Sequence, residues 1–144
     1  MSSGNMDQLD LTPLENAVQR LDEGLARHQR DTTDTLIRDG LIQRFEFVYE
    51  ISHKILRRHL ERISPSPEQF AGMAFADLIR TGNEHGLLLG DWGDWKSYRE
   101  RRGKASHTYN EEMAIDIVQH IPAFLKEIRH ILNKLQAGNV GRHG

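Results

Sequence analysis

Gln43-Arg44-Phe45-Glu46-Phe47-Val48-Tyr49-Glu50-Ile51-Ser52-His53-Lys54-Ile55 lies at the centre of the longest periodic pattern in the chain. Leu41, Phe45, Val48, Ser52, Ile55 and Ile63 fall on one stripe, because a helix returns residues three and four apart to the same face. Phe47, Tyr49 and Ile51 widen that stripe beyond the face an ordinary surface helix buries. The pattern predicts a helix of about 28 residues, roughly 42 Å long at the usual rise per residue. Its apolar width assigns it a central or interface position.

Working outward, Thr12-Pro13-Leu14-Glu15 reads as a capping box with proline at the first helical position, and Leu14, Val18, Leu21 and Leu25 recur behind it. This predicts a first helix from 12 to about 30, with Asp31 to Asp34 as a short loop and cap. Downstream, Ser64-Pro65-Ser66-Pro67 stops the long helix, and Ser66-Pro67-Glu68-Gln69 starts a short one that ends near Thr81-Gly82. A loop containing Gly82, Gly86 and Gly90 leads to Asp91-Trp92-Gly93-Asp94, after which Trp95, Tyr98 and Arg102 share a face. The last helix carries Met113, Ile117, Ile121, Phe124, Ile128, Ile131 and Leu135, with a kink expected at Pro122. Residues 1–11 read as an extension and 138–144 as a frayed or disordered tail. No strand pattern or internal repeat stands out. The expected architecture over 12–137 is all-α, an antiparallel up-and-down four-helix bundle with an additional short helix.

The length of 144 residues suits one domain that would gain useful burial as a dimer. A formal charge of −2 argues against a broadly basic nucleic-acid surface but leaves a local patch open. Lys96, Arg99, Arg101 and Lys104, around Arg102, form such a patch and are candidate RNA contacts; the same run can equally be a solvated face. The chain has no cysteine, which excludes disulfide and thiolate chemistry. No apolar run long enough to span a bilayer and no signal-type start appears, so a cytoplasmic location without membrane contact is expected. The eight histidines form no HExxH pair and the acids no calcium loop, so no metal or other cofactor is expected.

Arg102-Gly103-Lys104-Ala105-Ser106-His107-Thr108-Tyr109 carries the chemistry. Gly103 suits a left-handed position past a helix end, and Thr108-Tyr109-Asn110-Glu111 reads as the capping box of the last helix. With one helix ending near Arg102 and the next starting near Thr108, Arg102, His107 and Tyr109 can converge on a phosphate. The free N–H groups and dipole of the last helix would favour an anion there. A neutral His107 could act as general base toward an RNA 2′-hydroxyl and Arg102 could stabilise the phosphorane, giving a cyclic phosphate without a metal. An arginine on an apolar side needs a carboxylate, and Glu46 or Asp39, which share a face of the long helix, could supply it. Taken singly, such an arginine is ordinarily a dipole partner and such a histidine a solvated group. His53, His59, His85, His120 and His130 read as structural or solvated.

At Arg102 to Tyr109, and again at Gln43 to Glu50 with Lys54, the chain resembles the HEPN superfamily. The likeness spans roughly residues 12–137 and is greatest to its branch of nucleotidyltransferase substrate-binding proteins, the toxins of HEPN and minimal nucleotidyltransferase pairs. The resemblance implies a homodimer that brings two Arg-His motifs into one cleft. It further implies a separately encoded minimal nucleotidyltransferase that adenylylates Tyr109. On that likeness the chain is an endoribonuclease acting on RNA through Arg102 and His107. The alternatives are a noncatalytic subunit presenting nucleotide or substrate to the nucleotidyltransferase, and a plain helical dimerisation module. Gly103 departs from the family, where asparagine or another polar residue commonly follows the motif arginine, so that amide is absent here.

Overall fold

Three long amphipathic segments in a chain this short can bury their apolar stripes only against one another, and a computed structural model, which describes residues 9–107 and 109–143, shows that arrangement. Helix α1 spans Thr12–Arg30, α2 Thr35–Ile63 and α5 Glu111–His143, and each packs against the other two. Helix α4, Trp92–Lys104, completes the bundle, and the short α3, Phe75–Glu84, packs on α2 and α4. No strand occurs among the described residues. The expected all-α bundle with an additional short helix is therefore the observed fold.

The core is filled from every helix: Leu14 and Leu21, Leu41 and Phe45, Leu78 and Ile79, Trp95, and Phe124 with Ile128 are all fully buried. Side chains of this kind each contribute about 1.5–3 kcal/mol when removed from water. An aromatic cluster joins α2, α3, α4 and α5. Trp95 meets Tyr98, Phe75, Phe124 and Tyr49 at ring separations between 5.6 and 6.4 Å. Burial there pushes the Tyr49 phenol up to about 12 against the attraction of Arg99 and Arg102.

Several ends differ from expectation. Thr12 is already helical, and the carboxylate of Asp10 accepts its N–H at 3.0 Å, so the capping box read at Thr12 does not form. Leu9 and Leu11 join the core, so the segment before α1 is partly structural; residues 1–8 lie outside the described residues. Asp34 caps α2 as expected, accepting from Leu36 and Ile37. Ser66 caps nothing; Pro67–Phe70 is an isolated 3-10 turn, and α3 starts only at Phe75. The intervening turn is tied to α2, where the Arg57 guanidinium donates to the carbonyls of Phe70 and Met73. Helix α5 passes through Pro122 and continues to His143, beyond the frayed end expected at 138.

Two buried polar side chains organise the bundle. Glu127 of α5, 2% exposed, accepts the N–H groups of Leu89 at 2.8 Å and Gly90 at 2.6 Å and the indole N–H of Trp95 at 3.1 Å. Gly90 has to be glycine, because a Cβ would lie 2.8 Å from both the Glu127 and Asp94 carboxylates. Arg38 of α2 is buried and pairs with Glu111, the first residue of α5. That guanidinium holds the Glu111 carboxyl below its usual range. A carboxylate with a depressed folded-state value adds stability that is fully present above its unfolded value and is lost as pH falls through the folded one. Glu111→Gln should therefore lower the melting temperature at neutral pH, with the difference from wild type closing as pH falls through the depressed folded value. Calorimetry showing the same gap at acid pH would contradict this.

Candidate functional site

Arg102 lies in the last turn of α4, beyond Trp95 and Tyr98 on the aromatic face, so packing of that face aims it at α2. Its partner there is Glu50. Neither expected acid holds it: Glu46 lines the same groove one turn away, and Asp39 lies 3.9 Å from Arg38. The expected acids lie on the correct helix but a turn or more too early. The Arg102 Nε is buried without a hydrogen-bond partner, which leaves one donor of the guanidinium fork unspent.

The helix break after Arg102 is present, with different parts. Gly103 is an ordinary helical residue without positive φ, so no left-handed turn forms there, and a side chain at 103 would meet open space. Lys104 ends α4, and Ala105–His107 form a 3-10 turn in which only Ala105 is buried. The Thr108 cap lies outside the described residues. Asn110 performs that task instead: its side chain accepts from the Met113 N–H at 3.2 Å and its carbonyl from Ala114 at 3.1 Å. Glu111, the acid of the box read at Thr108, accepts from Arg38.

His107 and Tyr109 are together on this exposed turn, with ring centroids 5.9 Å apart and edge-on. Tyr109 is 87% exposed. No hydrogen bond or ion pair joins His107 to Arg102 among the described residues, so one chain presents two adjoining pairs, Arg102 with Glu50 and His107 with Tyr109. The anion site expected at the start of α5 is weakened, since Asn110 occupies one N–H and Glu111 and Glu112 place two acids in the first turn.

The expected basic patch divides as well. Arg101 is committed to Asp116 of α5, with Nε at 3.1 Å from the carboxylate, and Arg99 sits over the Phe75 ring at 5.7 Å. Lys96 and Lys104 remain exposed. Among the other histidines, His53 packs edge-on to Phe75 at 4.6 Å and is held below its ordinary value by burial and then by Arg57, and His120 contacts the Asp116 carbonyl at 2.8 Å. Among the described residues no three histidine or acidic side chains cluster as a metal site, and no helix is long and apolar enough to cross a membrane.

Sequence reasoning missed Glu50, Arg38, Glu127 and Asn110. Glu127 and Arg38 carried a readable signal: Glu127 falls on the apolar stripe between Phe124 and Ile131, and Arg38 three residues before Leu41. A charged residue at a core position calls for a buried partner.

Comparison with known proteins fits this geometry. Residues 9–137 match the family described as nucleotidyltransferase substrate binding protein like. A protein of Haemophilus influenzae named "Probable ribonuclease HepT" is 33% identical over 141 residues, covering 92% of this chain and 96% of that one. A solved structure from the same species, described as revealing the fold of a substrate binding domain of a nucleotidyltransferase, superposes with a TM-score of 0.81. It is 31% identical, and the match covers 88% of this chain and 99% of that one. A crystal structure from Thermus thermophilus gives 0.69 at 28% identity, over 85% and 98% of the two chains. A match over nearly the whole fold, with relatives of similar length, shows that the chain belongs to the nucleotidyltransferase substrate binding protein-like family of the HEPN superfamily.

Proposed function

We propose that this protein is the HEPN component of a two-component toxin-antitoxin module, a metal-independent endoribonuclease controlled by a minimal nucleotidyltransferase. The observation that carries the reading is the exposed turn placing His107 edge-on to Tyr109 directly after Arg102. His107 takes the proton of an RNA 2′-hydroxyl, and that oxygen attacks the adjacent phosphorus. The 5′-oxygen leaves and is protonated, giving a 2′,3′-cyclic phosphate and a 5′-hydroxyl. Arg102 neutralises the phosphorane charge once RNA displaces Glu50 from it. A homodimer, juxtaposing two such turns, would supply the second Arg-His pair to the cleft.

The test is cleavage of cellular RNA by purified protein in EDTA, beside His107→Ala, with light scattering for mass. Cyclic-phosphate ends from wild type only, and a dimer mass, are expected. No cleavage would leave the noncatalytic substrate-binding subunit, a reading that the Arg102–Glu50 pair favours because it occupies the guanidinium.

Control follows from the exposure of Tyr109. Its hydroxyl attacks the α-phosphorus of ATP, releasing pyrophosphate and its own proton, and the attached AMP then repels and occludes the RNA backbone. Tyr109→Phe should cut RNA but escape silencing by the nucleotidyltransferase with ATP. Equal silencing of both proteins, with no mass gain on Tyr109, would make complex formation the switch.

A further inference from the structure

The arginines of α4 are largely committed within the chain, but those of α1 and α2 are not placed at random. A groove of about 860 Å³ runs between α1 and α2 and ends at Arg102, with Arg20 and Arg44 in its walls. A second groove of about 430 Å³ holds Arg27 and Arg30 and shares Gly40 and Arg44 with the first. Five arginines thus follow one path, against Glu23, Glu46 and Glu50, in a chain whose net charge is −2. Arg44 is held in place: its Nη1 donates to the Arg20 carbonyl at 2.7 Å, and its stem crosses Gly24, where a Cβ would lie 3.4 Å from the Arg44 Cδ. Phe47, 56% exposed, stands beside this path at the Arg102 end.

We infer that the α1–α2 groove is the track for a single-stranded RNA segment leading to Arg102, with Arg27, Arg30, Arg44 and Arg20 on successive phosphates and Phe47 stacking a base. Fixed guanidiniums bind phosphate oxygens in bidentate fashion, and an exposed aromatic ring beside a basic groove is a sequence-tolerant base platform. The inference rests on the ribonuclease reading for its ligand class and replaces the α4 run as the main RNA contact.

The probe is a fluorescein-labelled oligouridylate of about 12 nucleotides, within the usual span of a single-strand binding site. Methylation of every 2′-oxygen prevents cleavage, so binding is read independently of catalysis. Arg27→Gln/Arg30→Gln should weaken binding about tenfold or more near 0.1 M salt and reduce the salt slope by roughly 1.4, the share of two single-strand phosphates. The exposed pair Lys126→Gln/Lys134→Gln on α5 removes the same charge and should leave the affinity within about twofold. Phe47→Ala should weaken binding with the slope unchanged. The groove assignment is overturned by absence of wild-type binding, by equal loss in both double variants, or by groove variants that bind normally. It is also overturned if the groove variants turn a dimer into a monomer, since the groove would then hold a second copy. Binding with the expected pattern by a protein that cuts no RNA would uphold the track and reject the ribonuclease.

Discussion

On the proposed ribonuclease reading, Arg102→Lys should cut RNA about a hundredfold to a thousandfold more slowly, the cost of losing one preorganised donor to a developing oxyanion. The substitution keeps the charge and can still pair with Glu50, so the bundle should fold normally. What it loses is the planar fork, whose buried Nε has no protein partner and whose remaining donors can span two phosphorane oxygens. On that reading the interaction belongs to the transition state, so kcat should fall while KM changes little. Single-turnover cleavage of a labelled RNA measures this directly. A rate within about threefold of wild type would mean that Arg102 acts only as a point charge.

The largest effect on stability is expected at Glu127. Replacing it by alanine leaves the buried Trp95 indole and the part-buried N–H groups of Leu89 and Gly90 without their acceptor. At about 1–3 kcal/mol for each unsatisfied donor, with some relief from entering water, the total should be on the order of 4 kcal/mol. For a domain of this size that lowers the melting temperature by roughly 10 °C. Glu127→Gln keeps one acceptor but turns an amide donor toward another, and should fall between the two. Scanning calorimetry in which alanine shifts the transition by less than about 3 °C would show that the loop before α4 is held by packing alone.

How far the sequence could be read follows from what periodicity encodes. It places residues around a helix axis but not along a neighbour. Periodicity puts Arg102 on the aromatic side of α4 and its acid on α2, and both placements hold. Glu46 and Glu50 are four apart on nearly the same face, so choosing between them depends on how far α4 slides along α2, which packing of Trp95 against Tyr49 decides. Caps failed for a different reason. The boxes read at Thr12 and Ser66 are sound local chemistry, but side chains two residues upstream take the same N–H groups: the Asp10 carboxylate accepts from Thr12 and the Ser64 hydroxyl from Ser66.

The turn bearing Tyr109 is clamped on both sides, by Arg101 on Asp116 before it and by Arg38 on Glu111 after it. Between those clamps lie nine residues, with Ala105 anchored in the core. Drawing Tyr109 out as an extended strand would break both ion pairs and lift Ala105 from the core. On the proposed modification, the partner enzyme would therefore meet Tyr109 through an open, shallow cleft, as part of a folded surface. A synthetic peptide of residues 101–116 should consequently be a poor acceptor beside the intact protein, and the modification itself would report whether the bundle is folded.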